Sequence, residues 1–426
     1  MTDINKIPAR DQIVCIMKRM YQQKLTSLSG GNLSIYDAEN NFWITPTAVD
    51  KGNLTSDDIV MFNERGEFSG NQRPSSEYPF HWGIYKKRND ICAIVHAHSP
   101  ALIAFSIAGK VPNPRITPVS FQTCGEIGFA EYASPGSQEL GYAIAEVFGR
   151  GFNIVILENH GVVSAGMNLI KAYERMETLE YTARTLIYAK SLGEVKWLQP
   201  GSTLESWMNP VFTGEMVPIQ DASQDTSDIK KLLAKIVRRA YRQHLMVSTS
   251  GSASARLNRN DFVITPYGVD RNWLEADDLV IIQKQTRQSN NAPSRLVELH
   301  RAIYKKHKDV ESIMTSQAPY VTAFAVTGTP IDTRSIPESY MLLRTIPQVS
   351  LADALQQPEE VAGLISRQSP ALLIENLGIL VTGENILHAF DRLEVVEFSA
   401  RSLIEAKALG GLKPIDDQEI ARLNFM

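Results

Sequence analysis

A chain of 426 residues is long for one domain and comfortable for two, each able to bury a core without disulfides. With 43% hydrophobic residues, 21% charged residues and a net charge of −4, it has the make-up of a soluble globular protein. It has no basic excess to attract nucleic acid and no uninterrupted apolar run long enough to span a bilayer, so neither is an expected partner.

The opening MTDINKIPARDQ lacks the charged-then-apolar pattern of a secretory signal, and the expected location is cytoplasmic. Three scattered cysteines, Cys15, Cys92 and Cys124, form no CxxC pair and suit neither a disulfide framework nor a thiolate zinc site. Any bound metal must use histidine and carboxylate.

In chain order, QIVCIMKRMYQQ reads as an amphipathic helix, apolar at Ile13, Ile16, Met17 and Met20. A Gly/Ser turn, SGGN, and short strands follow. A helix after PSSEYP, with Pro79 in its first turn, leads to an apolar strand ending in HAH. A strand–turn segment, IVILENHGVVSAG, then precedes a long closing helix. This interspersion predicts an α/β domain with helices covering a central sheet. On a strand His96 and His98 project to one side while Ala97 points away. Alone, that pair suits hydrogen-bonded core imidazoles as well as two ligands of one metal.

The chain is written twice. WITPTAVDKGNLTSDDIV (Trp43 to Val60) returns as VITPYGVDRNWLEADDLV (Val263 to Val280), with Asp270 on Asp50. LENHGVVSAG returns as IENLGILVTG, and Pro319 and Tyr304 fall on Pro100 and Tyr85. The stretch around Asp221, rich in Pro, Gly, Ser and Asp, reads as the junction. The expected organisation is a first domain over 1–205, a linker over 206–225 and a second domain over 226–426.

The duplication acts as a mutational experiment. His96 faces Thr315, His98 faces Gln317, His160 faces Leu377 and Glu77 faces Leu296, so four metal-competent side chains are lost together. His81 and Asp58 recur as His300 and Asp278, and Glu158, Asn159, Gly161 and Gly166 recur as Glu375, Asn376, Gly378 and Gly383, which suits turns and packing. Joint loss of three histidines and a glutamate points to a metal site in the first copy.

SGGNLS with Asn32, ITPT, PSSE with Glu77, HAH and ENHG with His160 together resemble the class II aldolase/adducin family, over the whole first copy and in degenerate form over the second. The resemblance implies two tandem domains, each a sheet covered by helices in three α/β/α layers. It also implies zinc or another divalent ion on His96, His98 and His160, and Glu77 as the general acid/base. Gly31, Asn32, Thr45, Thr47, Ser75 and Ser76 would then receive a phosphate. The family often has glycine after TPT, where this copy has Ala48 and the second has Gly268.

Aldolases of this family bring a tyrosine from a neighbouring subunit. The first copy has Phe121 in that region and the second has Tyr340, followed by Arg344, so Tyr340 is a candidate catalytic residue. The implied activity is reversible aldol cleavage of a small sugar phosphate. Epimerisation, dehydration and decarboxylation use nearly the same ligands, and an adducin-like interaction module is the non-catalytic alternative. Four-domain rings are common in the family, which implies a homodimer of tandem chains or a higher homo-oligomer.

Overall fold

The computed structural model describes residues 4–63, 67–208, 214–217, 223–284 and 286–423. The chain divides into two compact units, Met1–Pro114 with Ser120–Arg184, and Arg115–Val119 with Thr185–Met426. Among the described residues no helix is long and apolar enough to cross a membrane.

The first unit is an eight-stranded sheet of β1 (Asn32–Tyr36), β2 (Phe42–Ile44), β3 (Val60–Phe62), β4 (Phe68–Ser69), β5 (Ala93–Ala97), β6 (Gly128–Ala130), β7 (Ile154–Leu157) and β8 (Gly161–Gly166), in the order β4-β3-β2-β1-β5-β8-β7-β6. Its helices are α1 (Ala9–Gln22), α2 (Tyr78–Lys87), α3 (Pro100–Ile107), α4 (Pro118–Cys124), α5 (Gln138–Gly149) and α6 (Leu169–Ala189); the boundary between units crosses the ends of α4 and α6.

The apolar spacing read for α1 is the buried one: Ile13, Ile16, Met17 and Met20 are all fully buried. Every residue of β5 is buried, as a central strand covered on both faces requires. Ile94 joins a core with Phe80 and Ile84 of α2 and Leu140, Ile144 and Phe148 of α5. On the other side α1 packs on β1, and α3 on β7 and β8. Helix, sheet and helix therefore stack as three layers.

Strand register brings distant motifs to one place. The end of β5 lies between the starts of β1 and β8, both antiparallel to it, with Asn32 opposite His96 and Ala97 opposite Val162. The Gly–Asn turn, the HAH strand and the ENHG turn thus meet at one end of the central strands. Gly161 permits this closeness, since a Cβ there would stand 2.6 Å from the Ala97 carbonyl oxygen.

The second unit has α7 (Ser202–Met208), β9 (Glu215–Met216), α8 (Gln224–Arg242), β10 (Ser252–Arg256), β11 (Asp261–Ile264), β12 (Val280–Gln283), β13 (Thr286–Gln288), α9 (Val297–Lys306), β14 (Ser312–Ser316), α10 (Pro319–Thr327) and α11 (Pro337–Leu343). It continues with β15 (Gln348–Val349), α12 (Leu351–Gln356), α13 (Pro358–Ala362), β16 (Ala371–Ile374), β17 (Gly378–Gly383) and α14 (Ile386–Ala408). Its sheet runs β15-β16-β17-β14-β10-β11-β12-β13-β9, and Ser252 sits opposite Thr315 as Asn32 sits opposite His96. The fold is two tandem α/β units. Within the stretch expected as a linker, Glu215 and Met216 pair parallel with β13 as an edge strand; residues 209–213 and 218–222, with the expected boundary at Asp221, lie outside the described residues.

Candidate metal centre and its carboxylate

His96 is the second-last residue of β5, fully buried, with its ring edge-on to Phe80 at 5.5 Å between centroids. Its Nδ1 lies 2.9 Å from the Val162 carbonyl oxygen, a pure acceptor, so Nδ1 carries a hydrogen and Nε2 is the nitrogen turned to the site. That Nε2 faces His98 Nε2 at 3.0 Å. Burial, and then the neighbouring His96 and His160, push His98 down to about 3, so its imidazole is neutral. His160 closes the group from the β7–β8 turn. Its N–H donates to Leu157 O at 3.1 Å and to Ser106 Oγ at 3.1 Å, and its Nδ1 is buried without a hydrogen-bond partner.

One ligand atom from each of His96, His98 and His160 lies within 4.8 Å of the others. Two nitrogens bound tetrahedrally to one ion by bonds of about 2.0–2.1 Å stand about 3.3 Å apart, close to the His96–His98 spacing. An orphaned buried ring nitrogen, two facing Nε2 atoms and an outer carbonyl fixing one tautomer fit a divalent metal. The three histidines can hold such an ion, as expected.

Glu77, immediately before α2, faces the same group. Its Oε2 lies 3.3 Å from His96 Nε2 and accepts a hydrogen bond from Asn32 Nδ2 at 2.8 Å. Its Oε1 lies 3.2 Å from His160 Nε2, and is buried without a hydrogen bond. Burial alone would raise the carboxyl, but the facing His96 and His160 overcome it and hold Glu77 well below the usual carboxylate range.

The TPT and PSS segments run side by side: Thr47 N donates to Arg73 O at 3.0 Å, Ser75 N to Thr45 O at 3.1 Å, and Pro46 bridges Pro74. Ser75 Oγ accepts the Glu77 backbone N–H at 3.3 Å, which ties this pair to the main chain that carries the carboxylate. Thr45 is fully buried and its Oγ1 accepts Leu33 N–H at 3.2 Å, as Thr265 accepts Ala253 N–H at 3.1 Å; this recurring bond ties the turn to the first strand. Gly31, with φ of 67°, packs against the backbone of β5, where a Cβ would meet His96 O at 2.6 Å.

Tyr340 lies in the second unit, on α11, with the Arg344 guanidinium 5.0 Å from its ring centre; it is not among the side chains gathered around Glu77 within the first unit.

Sequence reasoning passed over three supports. Ser34 stands 2.6 Å from His81 Nδ1 and 2.7 Å from Tyr85 Oη, a chain deep in the core. Ser106 braces the ENHG turn by donating to Leu157 O at 2.5 Å. Lys51 is buried and donates to Pro46 O at 2.6 Å, and burial lowers it to about 8. The duplication held a signal for two of them, since Ser254 bonds His300 and Tyr304 in the same way, and buried Arg271 donates to Pro266 O.

The fold and the site define a class: an α/β protein with three imidazoles that could hold a metal ion beside a buried carboxylate. The Class II Aldolase and Adducin N-terminal domain family matches residues 11–187 and again 231–404. The chain belongs to that family, twice over. Among curated proteins, an L-fuculose phosphate aldolase of Methanocaldococcus jannaschii is 35% identical over 41% of this chain and 93% of its own length. A 5-deoxy-D-ribulose 1-phosphate aldolase of Bacillus thuringiensis is 32% identical over 44% of this chain and 89% of its own. A 3-oxo-tetronate 4-phosphate decarboxylase of Haemophilus influenzae is 32% identical over 43% and 88%.

Proposed function

We propose that the first unit is a zinc-dependent lyase that cleaves a small ketose phosphate reversibly into dihydroxyacetone phosphate and an aldehyde. The observation that carries this reading is the placement of Glu77 against three converging imidazoles. Relatives named as sugar-phosphate aldolases support the substrate class.

A divalent ion held by His96, His98 and His160 supplies Lewis-acid polarisation of a substrate carbonyl and stabilises the negative charge that develops there. Glu77, whose carboxylate faces His96 and His160, would move the proton at the carbon beside that carbonyl. The turns around Gly31, Thr47, Ser75 and Ser76 would receive the phosphate through the hydroxyls of Thr47, Ser75 and Ser76 and through N–H groups other than those of Thr47 and Ser75, which pair the two segments. The reading gives Tyr340 the aldehyde-side proton; Tyr340→Phe should slow turnover without lowering bound zinc. A cytoplasmic homodimer is the expected form, and light scattering that finds a fully active monomer would contradict it.

The test is a panel of ketose 1- and 5-phosphates assayed for aldehyde release, alongside metal analysis. Release of dihydroxyacetone phosphate by the zinc-loaded protein, and loss of both zinc and release in the His96→Ala, His98→Ala double variant, would bear the proposal out. Carbon dioxide release from a 3-oxo acid phosphate would favour decarboxylation instead, the activity named for the Haemophilus relative.

A further inference from the structure

The buried chain that ends on Glu77 has a single direction. Asn32 donates its Nδ2–H to Glu77 Oε2 at 2.8 Å and turns its Oδ1, which can only accept, to His81. His81 Nε2 must then carry the hydrogen bonded to Asn32 Oδ1, which leaves Nδ1 to accept from Ser34 at 2.6 Å. Ser34, having given its hydrogen, accepts from Tyr85 at 2.7 Å. Ser34 and His81 are fully buried and Asn32 and Tyr85 nearly so, where unmatched polar atoms are costly, so each donor fixes the next.

The second unit keeps the chain and loses its last link. Tyr304 and Ser254 stand at 2.7 Å, Ser254 and His300 Nδ1 at 2.8 Å, and Ser252 replaces the asparagine. Ser252 Oγ lies 3.3 Å from His300 Nε2 and 2.7 Å from Thr315 Oγ1, the residue at the place of His96. The Tyr–Ser–His part therefore belongs to the fold, and the amide belongs with the carboxylate.

We infer that Asn32, its amide locked by His81, is a positioning residue that anchors Glu77 Oε2, so that Oε1 is the oxygen that carries the proton. Oε2 is taken by the amide, while Oε1 is buried, faces His160 and accepts no hydrogen bond. This gives the Asn32 side chain a role beside the phosphate binding expected at that turn from sequence, and it rests on the aldolase reading above. In the step concerned, Oε1 takes a proton from the hydroxymethyl carbon of dihydroxyacetone phosphate and the C–H electron pair passes into the carbonyl group. After exchange with solvent the carboxyl returns a deuteron in deuterium oxide.

The experiment follows that exchange by proton NMR on the zinc-loaded full chain. Asn32→Ser, which copies the second unit, should lower the saturated exchange rate by at least about tenfold, with half-saturation within about threefold and zinc content unchanged. His81→Gln, whose amide can donate to Asn32 and accept from Ser34, should keep the rate within about threefold, while His81→Phe should behave like Asn32→Ser. A raised half-saturation at unchanged maximal rate would assign Asn32 to the phosphate and overturn the inference. Absence of exchange in the unmodified protein would overturn the aldolase reading. The positioning claim would then be decided by crystal structures: a Glu77 carboxylate turned away in Asn32→Ser supports it, and an unmoved one overturns it.

Discussion

Ala48 shows at one position what a side chain costs in a turn built for glycine. Its φ is 53°, and Gly268 at the matching turn of the second unit has φ of 72° with nothing within 4 Å of the place a Cβ would occupy. The left-handed region costs a non-glycine residue roughly 1–2 kcal/mol, part of which glycine would lose again as chain entropy. Ala48→Gly should therefore raise stability by roughly 1 kcal/mol, measured by denaturant unfolding of the metal-free protein. The departure from the family pattern was visible in the sequence; the strain became visible only with the dihedral angle. Asn159 and Asn376, at 53° and 54°, adopt the same region with a residue type that tolerates it, which explains their recurrence. Asn32 marks the limit of residue-by-residue reading, since spacing cannot tell which of its atoms meets Glu77.

Among the elements, α6 and α14 each carry a buried carboxylate that caps the helix after the central strand. Glu180 accepts Ala101 N–H at 3.3 Å and Leu102 N–H at 3.1 Å, and Glu397 accepts Tyr320 and Val321 N–H at 3.1 and 2.8 Å. These bonds hold α3 behind HAH and α10 behind its counterpart, and so set where β5 and β14 end. The two differ in their cation: Arg184 Nε bonds Glu180 at 2.8 Å, whereas Arg401 Nε bonds Glu405 at 2.8 Å. Burial raises Glu397 to about 7, against the two backbone donors and Arg401. A carboxyl raised in the folded state gives stability that is complete below its unfolded value of about 4.5 and is lost as pH rises through about 7. The second unit should lose on the order of 3 kcal/mol across that window, and Glu397→Gln should flatten the dependence in melts from pH 4.5 to 8.

On the scale of the molecule, the duplication separates folding from chemistry. Both units build the same central strands and the same buried Tyr–Ser–His chain, and among the described residues only the first gathers three imidazoles and a carboxylate. A ligand stabilises only the structure that binds it. Calorimetry should resolve two transitions, of which zinc at about 100 times its dissociation constant raises one by about 2.7 kcal/mol. A chelator should reverse that shift, leaving the other transition in place; equal shifts in both would contradict a single metal-binding unit.

The sequence alone carried the two-unit plan, the order of the elements that frame the site and the metal-competent residues, but not α3, α4, β6 and α5 between them. Hydrophobic periodicity is local, and the second copy showed which polar residues the fold does without. Direction and contact belonged to the tertiary structure. Antiparallel pairing of β1, β5 and β8 places Asn32, His96 and Gly161 at one end of the sheet, although they are far apart along the chain. Burial then forces each donor there to find its acceptor, and that requirement turns the Asn32 side chain toward Glu77.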